Sequence, residues 1–176
     1  MRTSWLVAAS AILLIITAAA VTAQSEVQQP DAVHVTGVHS LGQMLSPGSQ
    51  TVTPDGVRHV RGLEAIGIDE FSDPRLSGET HIVHGEDVYP GGLGPRWGTA
   101  VMENEGGTWS GAYVAWVLPR DDGLDIPIYT TLLEGQGGYE GLSALCQSTY
   151  PEGRGWDGES ECVLFPGPIP RLVLPS

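Results

Sequence analysis

Backbone-breaking residues set the tightest limit on what this chain can fold into. All 24 glycines and all 13 prolines of the 176 residues fall after residue 23. Between them, no window sustains an apolar helical stripe with a cap at each end. What remains is a series of short runs carrying patterned apolar and aromatic side chains. Short patterned runs between frequent turn residues are the mark of an all-β domain. This glycine and proline content brushes the range of disordered chains, but the apolar patterning argues for a packed fold.

The first 23 residues read differently. Arg2 precedes the uncharged run Ser4 to Ala23, centred on Ala11-Ile12-Leu13-Leu14-Ile15-Ile16, and Val21-Thr22-Ala23 supplies small residues before polar Gln24-Ser25-Glu26. This is the layout of a cleavable secretory signal, helical within its apolar run. The alternative is a membrane tether through uncleaved residues 4–23, since about 20 apolar residues span a bilayer. The expected organisation is a signal peptide over 1–23, a flexible lead-in over 24–32, a β-domain over 33–165 and a Pro-rich tail over 166–176. With Pro166, Pro168, Pro170 and Pro175, that tail is restricted to extended or edge conformations. The expected location is secreted, periplasmic or at the cell surface.

Charge excludes two classes of partner. Eight basic residues against 21 acidic ones give −13, whereas nucleic-acid binding needs clustered Lys and Arg. The chain has no lysine, so a polybasic membrane patch is excluded as well. Once the signal is removed, no membrane association is expected. Cys146 and Cys162 match no metal-binding or redox spacing. In an oxidising compartment they read as a structural disulfide, worth on the order of 3 kcal/mol for a loop of this size.

Strands are expected over His34–Leu41, around the turn Pro54-Asp55-Gly56, and over Arg58–Asp69. In the last of these, Val60, Ile66 and Ile68 share one face and Leu63 and Ala65 the other. Ser72-Asp73-Pro74-Arg75 turns the chain into Glu79–Val83. Trp97–Glu103 and Thr108–Leu118 flank Asn104-Glu105-Gly106-Gly107 as the clearest hairpin. In its second strand, Trp109, Tyr113 and Ala115 alternate with Ala112, Val114 and Trp116, so neither face is polar. Either another element or subunit covers the outside, or the inside encloses an apolar cavity. Further strands are expected over Ile126–Glu134, Gly141–Tyr150 and Glu161–Phe165. About eight strands suit a small closed antiparallel barrel, and a sandwich fits the count almost as well.

Three glycine motifs stand out: Ser72-Asp73-Pro74-Arg75-Leu76-Ser77-Gly78, Glu105-Gly106-Gly107-Thr108-Trp109-Ser110-Gly111 and Gly135-Gln136-Gly137-Gly138-Tyr139-Glu140-Gly141. In order and spacing they resemble a group of exported bacterial proteins of unassigned function. The third also resembles the Gly-x-Gly-x-aromatic-Glu-Gly stretch of plant allene oxide cyclases and, more loosely, that of dirigent proteins. The resemblance spans residues 57–165. It implies an eight-stranded barrel with an apolar interior, often a homo-trimer, that guides cyclisation or coupling of an apolar substrate. The acid and amide catalytic groups of those relatives have no counterpart here, because the only asparagine, Asn104, falls in a turn. On the residues alone, the motifs read as barrel corners, where aromatic rings cover bare glycine backbone.

Chemistry-bearing clusters are few. In His81-Ile82-Val83-His84-Gly85-Glu86-Asp87, a strand puts His84 and Glu86 on one face and His81 on the other, so too few ligands converge for zinc. These read as surface histidines near a strand end. His34, His39 and His59 are scattered, and neither a metal nor another cofactor is expected. Asp121, Asp122 and Asp125 read as a solvated acidic turn. Asp73 and Arg75 are placed to pair across their turn. Glu140 is the one candidate acid or base: facing inward, its pKa would rise; facing outward, it only solubilises.

The leading expectation is an exported barrel that binds a small apolar molecule among some of Trp109, Tyr113, Trp116 and Tyr129. The alternatives are a filled barrel acting in assembly, and a cyclase- or isomerase-like enzyme using Glu140.

Overall fold

The computed structural model describes residues 31–118, 126–150 and 157–169, with backbone only at 117, 118, 126 and 127. The expected signal, most of the lead-in, the acidic turn with Asp121, Asp122 and Asp125, loop residues 151–156 and the end of the tail lie outside the described residues.

Among the described residues, nine strands form one sheet: β1 Val33–Ser46, β2 Ser49–Val52, β3 Arg58–Phe71, β4 Gly78–Val88, β5 Gly94–Asn104, β6 Gly107–Leu118, β7 Ile126–Gly137, β8 Leu142–Thr149 and β9 Gly158–Pro166. From β3 to β9 each strand pairs antiparallel with the next. The first half of β1 pairs with β9 and its second half with β3, which closes eight strands into a barrel. β2 is a short hairpin arm on β3. Closure removes the sandwich alternative. Among the described residues, no helix is long and apolar enough to cross a membrane.

β1 runs five residues beyond the expected Leu41, with register shifts between Leu41 and Gln43 and between Met44 and Ser46. The expected faces of β3 need a correction. Its register slips between Val60 and Leu63, where Gly62 takes φ +65. A bulge of this kind inserts one residue and reverses the inside–outside phase. Val60 therefore shares the interior with Leu63, Ala65, Gly67 and Asp69, while Ile66 and Ile68 sit on the opposite face.

One end of the barrel is packed shut. A short 3-10 turn, Pro74–Leu76, folds over it with Leu76 fully buried. The turn is capped by Asp73, whose Oδ1 accepts from the Arg75 amide while its carboxylate pairs with the Arg75 guanidinium at 2.6 Å. Trp109 lies beneath, wholly buried, and its Nε1–H donates to Arg75 O at 2.7 Å. Asn104 Nδ2 donates to Ser77 O, and Tyr139 O–H donates to Asn104 Oδ1 at 2.6 Å. The three glycine motifs thus meet at one pole, and Asn104 ties them together. Cys146 and Cys162 are Cα partners across β8 and β9 and form the disulfide. Together with Val35, Ala144 and Leu164 they extend this core up the barrel wall.

Candidate functional site: a polar-lined barrel cavity

Beyond the packed pole the interior is hollow. A cavity of about 380 Å³ runs toward the other end, where Pro47, Gln50 and part-exposed Arg58 line it. Val60, Leu63, Ile82, Ala100, Met102 and Leu133 provide an apolar wall. Alternation along each strand explains this lining, because every second side chain must point inward.

Polar groups occupy the remaining inward positions, and they form two clusters. The first lies where β1 meets β3. His39 and Asp69 are direct cross-strand partners, and both side chains are more than nine-tenths buried. His39 Nδ1–H donates to Asp69 Oδ1 at 2.7 Å, and the Thr80 hydroxyl donates to Asp69 Oδ2. A carboxylate can only accept, so the ring proton sits on Nδ1 and the lone pair of the neutral ring on Nε2. That Nε2 is buried and has no partner among the described residues. Gly67 makes room for the ring: a Cβ there would lie 2.2 Å from His39 Cε1.

The second cluster surrounds Glu86. Its carboxylate receives Arg58 Nη2 at 2.8 Å and Arg96 Nε at 3.1 Å, with His84 Nε2 at 3.7 Å. The neighbouring His84, then Arg96 and Arg58, hold the Glu86 carboxyl below the ordinary value of 4.5, outweighing the upward push of burial. The Tyr113 hydroxyl hydrogen-bonds with His84 Nδ1 at 2.8 Å, and Arg96 Nη1 donates to the Tyr129 hydroxyl at 3.1 Å.

An aromatic belt joins the two clusters. The Tyr113 ring stacks near His84 and lies 5.6 Å from Tyr129, which is 5.0 Å from Tyr150, whose ring meets His39 edge-on at 6.0 Å. Burial, reinforced by neighbouring Tyr129, raises the pKa of both Tyr113 and Tyr150, so both phenols stay protonated across the physiological range.

These placements divide the residues expected to bind. Tyr113 and Tyr129 line the cavity. Trp109 does not, because it sits two pleat repeats from Tyr113 along β6 and fills the closed pole. Trp116 points outward and is 63% exposed, because it is out of phase with Tyr113. Glu140 lies exposed in the β7–β8 turn. His84 and Glu86 share a face as expected, but that face is the interior, which corrects their reading as surface groups. Sequence reasoning set His39 aside among the scattered histidines and passed over Asp69, Thr80, Arg58, Arg96 and Tyr150. Their signal was phase: Asp69 follows Ala65 and Gly67 on the inward side, and Arg96 is in step with Ala100 and Met102.

Comparison with family models, with curated proteins and with solved structures finds no match to this chain.

Proposed function

We propose that the protein is an exported binding barrel that takes up a small molecule with an apolar body and a hydrogen-bond-accepting head. The observation that carries this reading is the cavity of about 380 Å³, a size typical of small-molecule sites. Its volume weighs against a filled barrel. An apolar wall facing a few convergent polar groups suits an amphipathic guest better than the purely apolar one expected from sequence. Two guanidiniums, Arg58 and Arg96, meet the single Glu86 carboxylate. Each guanidinium carries five N–H donors, so a carbonyl or carboxylate head would find donors here. In a chain of net charge −13, this is a local exception. A hollow barrel also agrees with membership of the allene oxide cyclase and dirigent-like group that the glycine motifs suggest.

Titrating the purified mature protein with anilinonaphthalenesulfonate tests the proposal. Saturable fluorescence gain, reversed by a medium-chain fatty acid and weakened in Arg58→Gln, is the expected result. No saturable uptake by the folded protein overturns it.

A second reading, self-assembly, is favoured by the outer surface. Ala112, Leu132, Leu145 and Val163 are successive cross-strand partners on β6 to β9, and all are exposed, beside Val114 and Trp116. An apolar face of this kind fits a second copy of the chain. Mass measurement in solution separates the cases, and Trp116→Glu should shift any oligomer to monomer.

A further inference from the structure

The binding reading leaves one cavity group without a purpose. A histidine that serves only packing normally has both ring nitrogens satisfied, because a buried nitrogen without a partner costs about 1–3 kcal/mol. His39 has Nδ1 fixed by Asp69, itself fixed by Thr80, and keeps Nε2 unpartnered while lining the cavity. The shape of the site maintains this arrangement. Gly67 clears the space for the ring, and Tyr150 meets its edge. The Tyr150 hydroxyl makes no hydrogen bond among the described residues.

From this geometry we infer that His39 is a catalytic base which removes a proton from carbon in a cavity-bound substrate, making the barrel a proton-transfer isomerase of small enolisable carbonyl compounds. The inference rests on the binding reading and adds chemistry to it. Nε2 takes a proton from the carbon beside the carbonyl, and the C–H electron pair moves into the enolate. The oxyanion accepts a hydrogen bond from the Tyr150 phenol, which keeps its own proton. In a β,γ-unsaturated carbonyl compound the imidazolium then returns the proton to the γ-carbon, and the carbon–carbon double bond moves into conjugation with the re-formed carbonyl; no other reactant is needed. Asp69 and Thr80 are positioning residues. They select the tautomer with its lone pair on Nε2 and hold the ring in one orientation, and the carboxylate stabilises the transient cation.

Nitrobenzisoxazole is a probe of this base that needs no knowledge of the natural substrate. Removal of its ring C–H proton forms a nitrile with the freed electron pair while the N–O bond breaks, and the leaving group is a coloured phenolate. The wild-type mature protein should open it saturably, and His39→Gln should lose about 100-fold or more of that rate. Far-UV circular dichroism and saturable dye uptake, at whatever affinity, show that the variant is folded. Equal turnover by wild type and His39→Gln, with both proteins taking up the dye, overturns the base while leaving the binding barrel standing. Absence of dye uptake and of turnover in the wild type removes both.

A nitrogen NMR spectrum of the wild-type histidines makes the test independent of how the variant folds. Nδ1 of His39 should carry the proton and Nε2 the lone pair, and Asp69→Asn should disturb that tautomer and lower the rate together. A His39 protonated on Nε2 in the neutral ring overturns the inference. A merely structural histidine would leave the rate per folded molecule unchanged in either variant.

Discussion

The indole of Trp109 stacks on the ring of Tyr139, with centroids 5.2 Å apart and planes 20° from parallel. One ring comes from the second glycine motif and the other from the third, while the backbone of the first motif accepts the indole N–H. Trp109→Ala should therefore open the closed pole and cost about 3–5 kcal/mol, as large buried aromatics do. Asn104→Ala removes the acceptor of the Tyr139 hydroxyl and the donor to Ser77, and should cost about 1–3 kcal/mol. Urea denaturation of the mature protein measures both. An unchanged midpoint in Asn104→Ala would show that the pole is held by ring packing alone.

The β8–β9 disulfide closes a loop of sequence separation 16. Replacing both Cys146 and Cys162 by Ala should lower stability by about 3 kcal/mol. Because Cys146 also lines the cavity, dye uptake should weaken as well. Comparing urea midpoints with and without reductant gives the same quantity on the unaltered chain.

Acid should weaken the protein in part through Glu86. Its carboxyl is held below 4.5 in the folded state, so the unfolded chain binds that proton more readily. The resulting stabilisation is fully present above pH 4.5 and is lost as pH falls through the lower folded value. Asp73, lowered from 3.8 by its Arg75 partner, acts in the same direction at still lower pH. The stability gap between wild type and Glu86→Gln, on the order of 2 kcal/mol at neutral pH for lost charged hydrogen bonds, should be flat above pH 4.5 and shrink below it. A gap independent of pH down to the acid transition would count against this account.

Gly67→Ala isolates the space that the His39 ring needs. The new methyl would meet Cε1 at 2.2 Å, so the ring or the strand must move, at a cost of about 1–3 kcal/mol. The His39 to Asp69 hydrogen bond should lengthen or break. Loss of the Nδ1–H signal in the proton spectrum reads this directly, and a preserved signal would mean that the site is softer than its geometry implies.

Much of the architecture was readable along the chain because local rules act over a few residues. The Pro54-Asp55-Gly56 turn, the hairpin around Glu105-Gly106, and the shared face of Tyr113 and Ala115 all follow from turn chemistry and period-two alternation, although which face points inward does not. The faces of β3 were not readable, because one positive-φ residue, Gly62, shifts the phase and nothing in the apolar pattern marks it. Which aromatics line the cavity was half readable: alternation separates Tyr113 from Trp116, but it cannot say how deep along the barrel axis Trp109 lies.

Alternation punctuated by glycine and proline determined that this chain has two-faced strands and hence an all-β domain, and the spacing of its two cysteines pointed to a bridge. Closure of the barrel was decided only in three dimensions, because β1 must pair with distant β9, Val33 opposite Leu164, as well as with β3, and that depends on the twist and stagger of all the strands around the ring. His39 and Asp69 face each other on the β1–β3 seam. Pairing of β1 with β3 makes their contact and closure of the ring encloses it in a cavity, and no local pattern in the sequence records either.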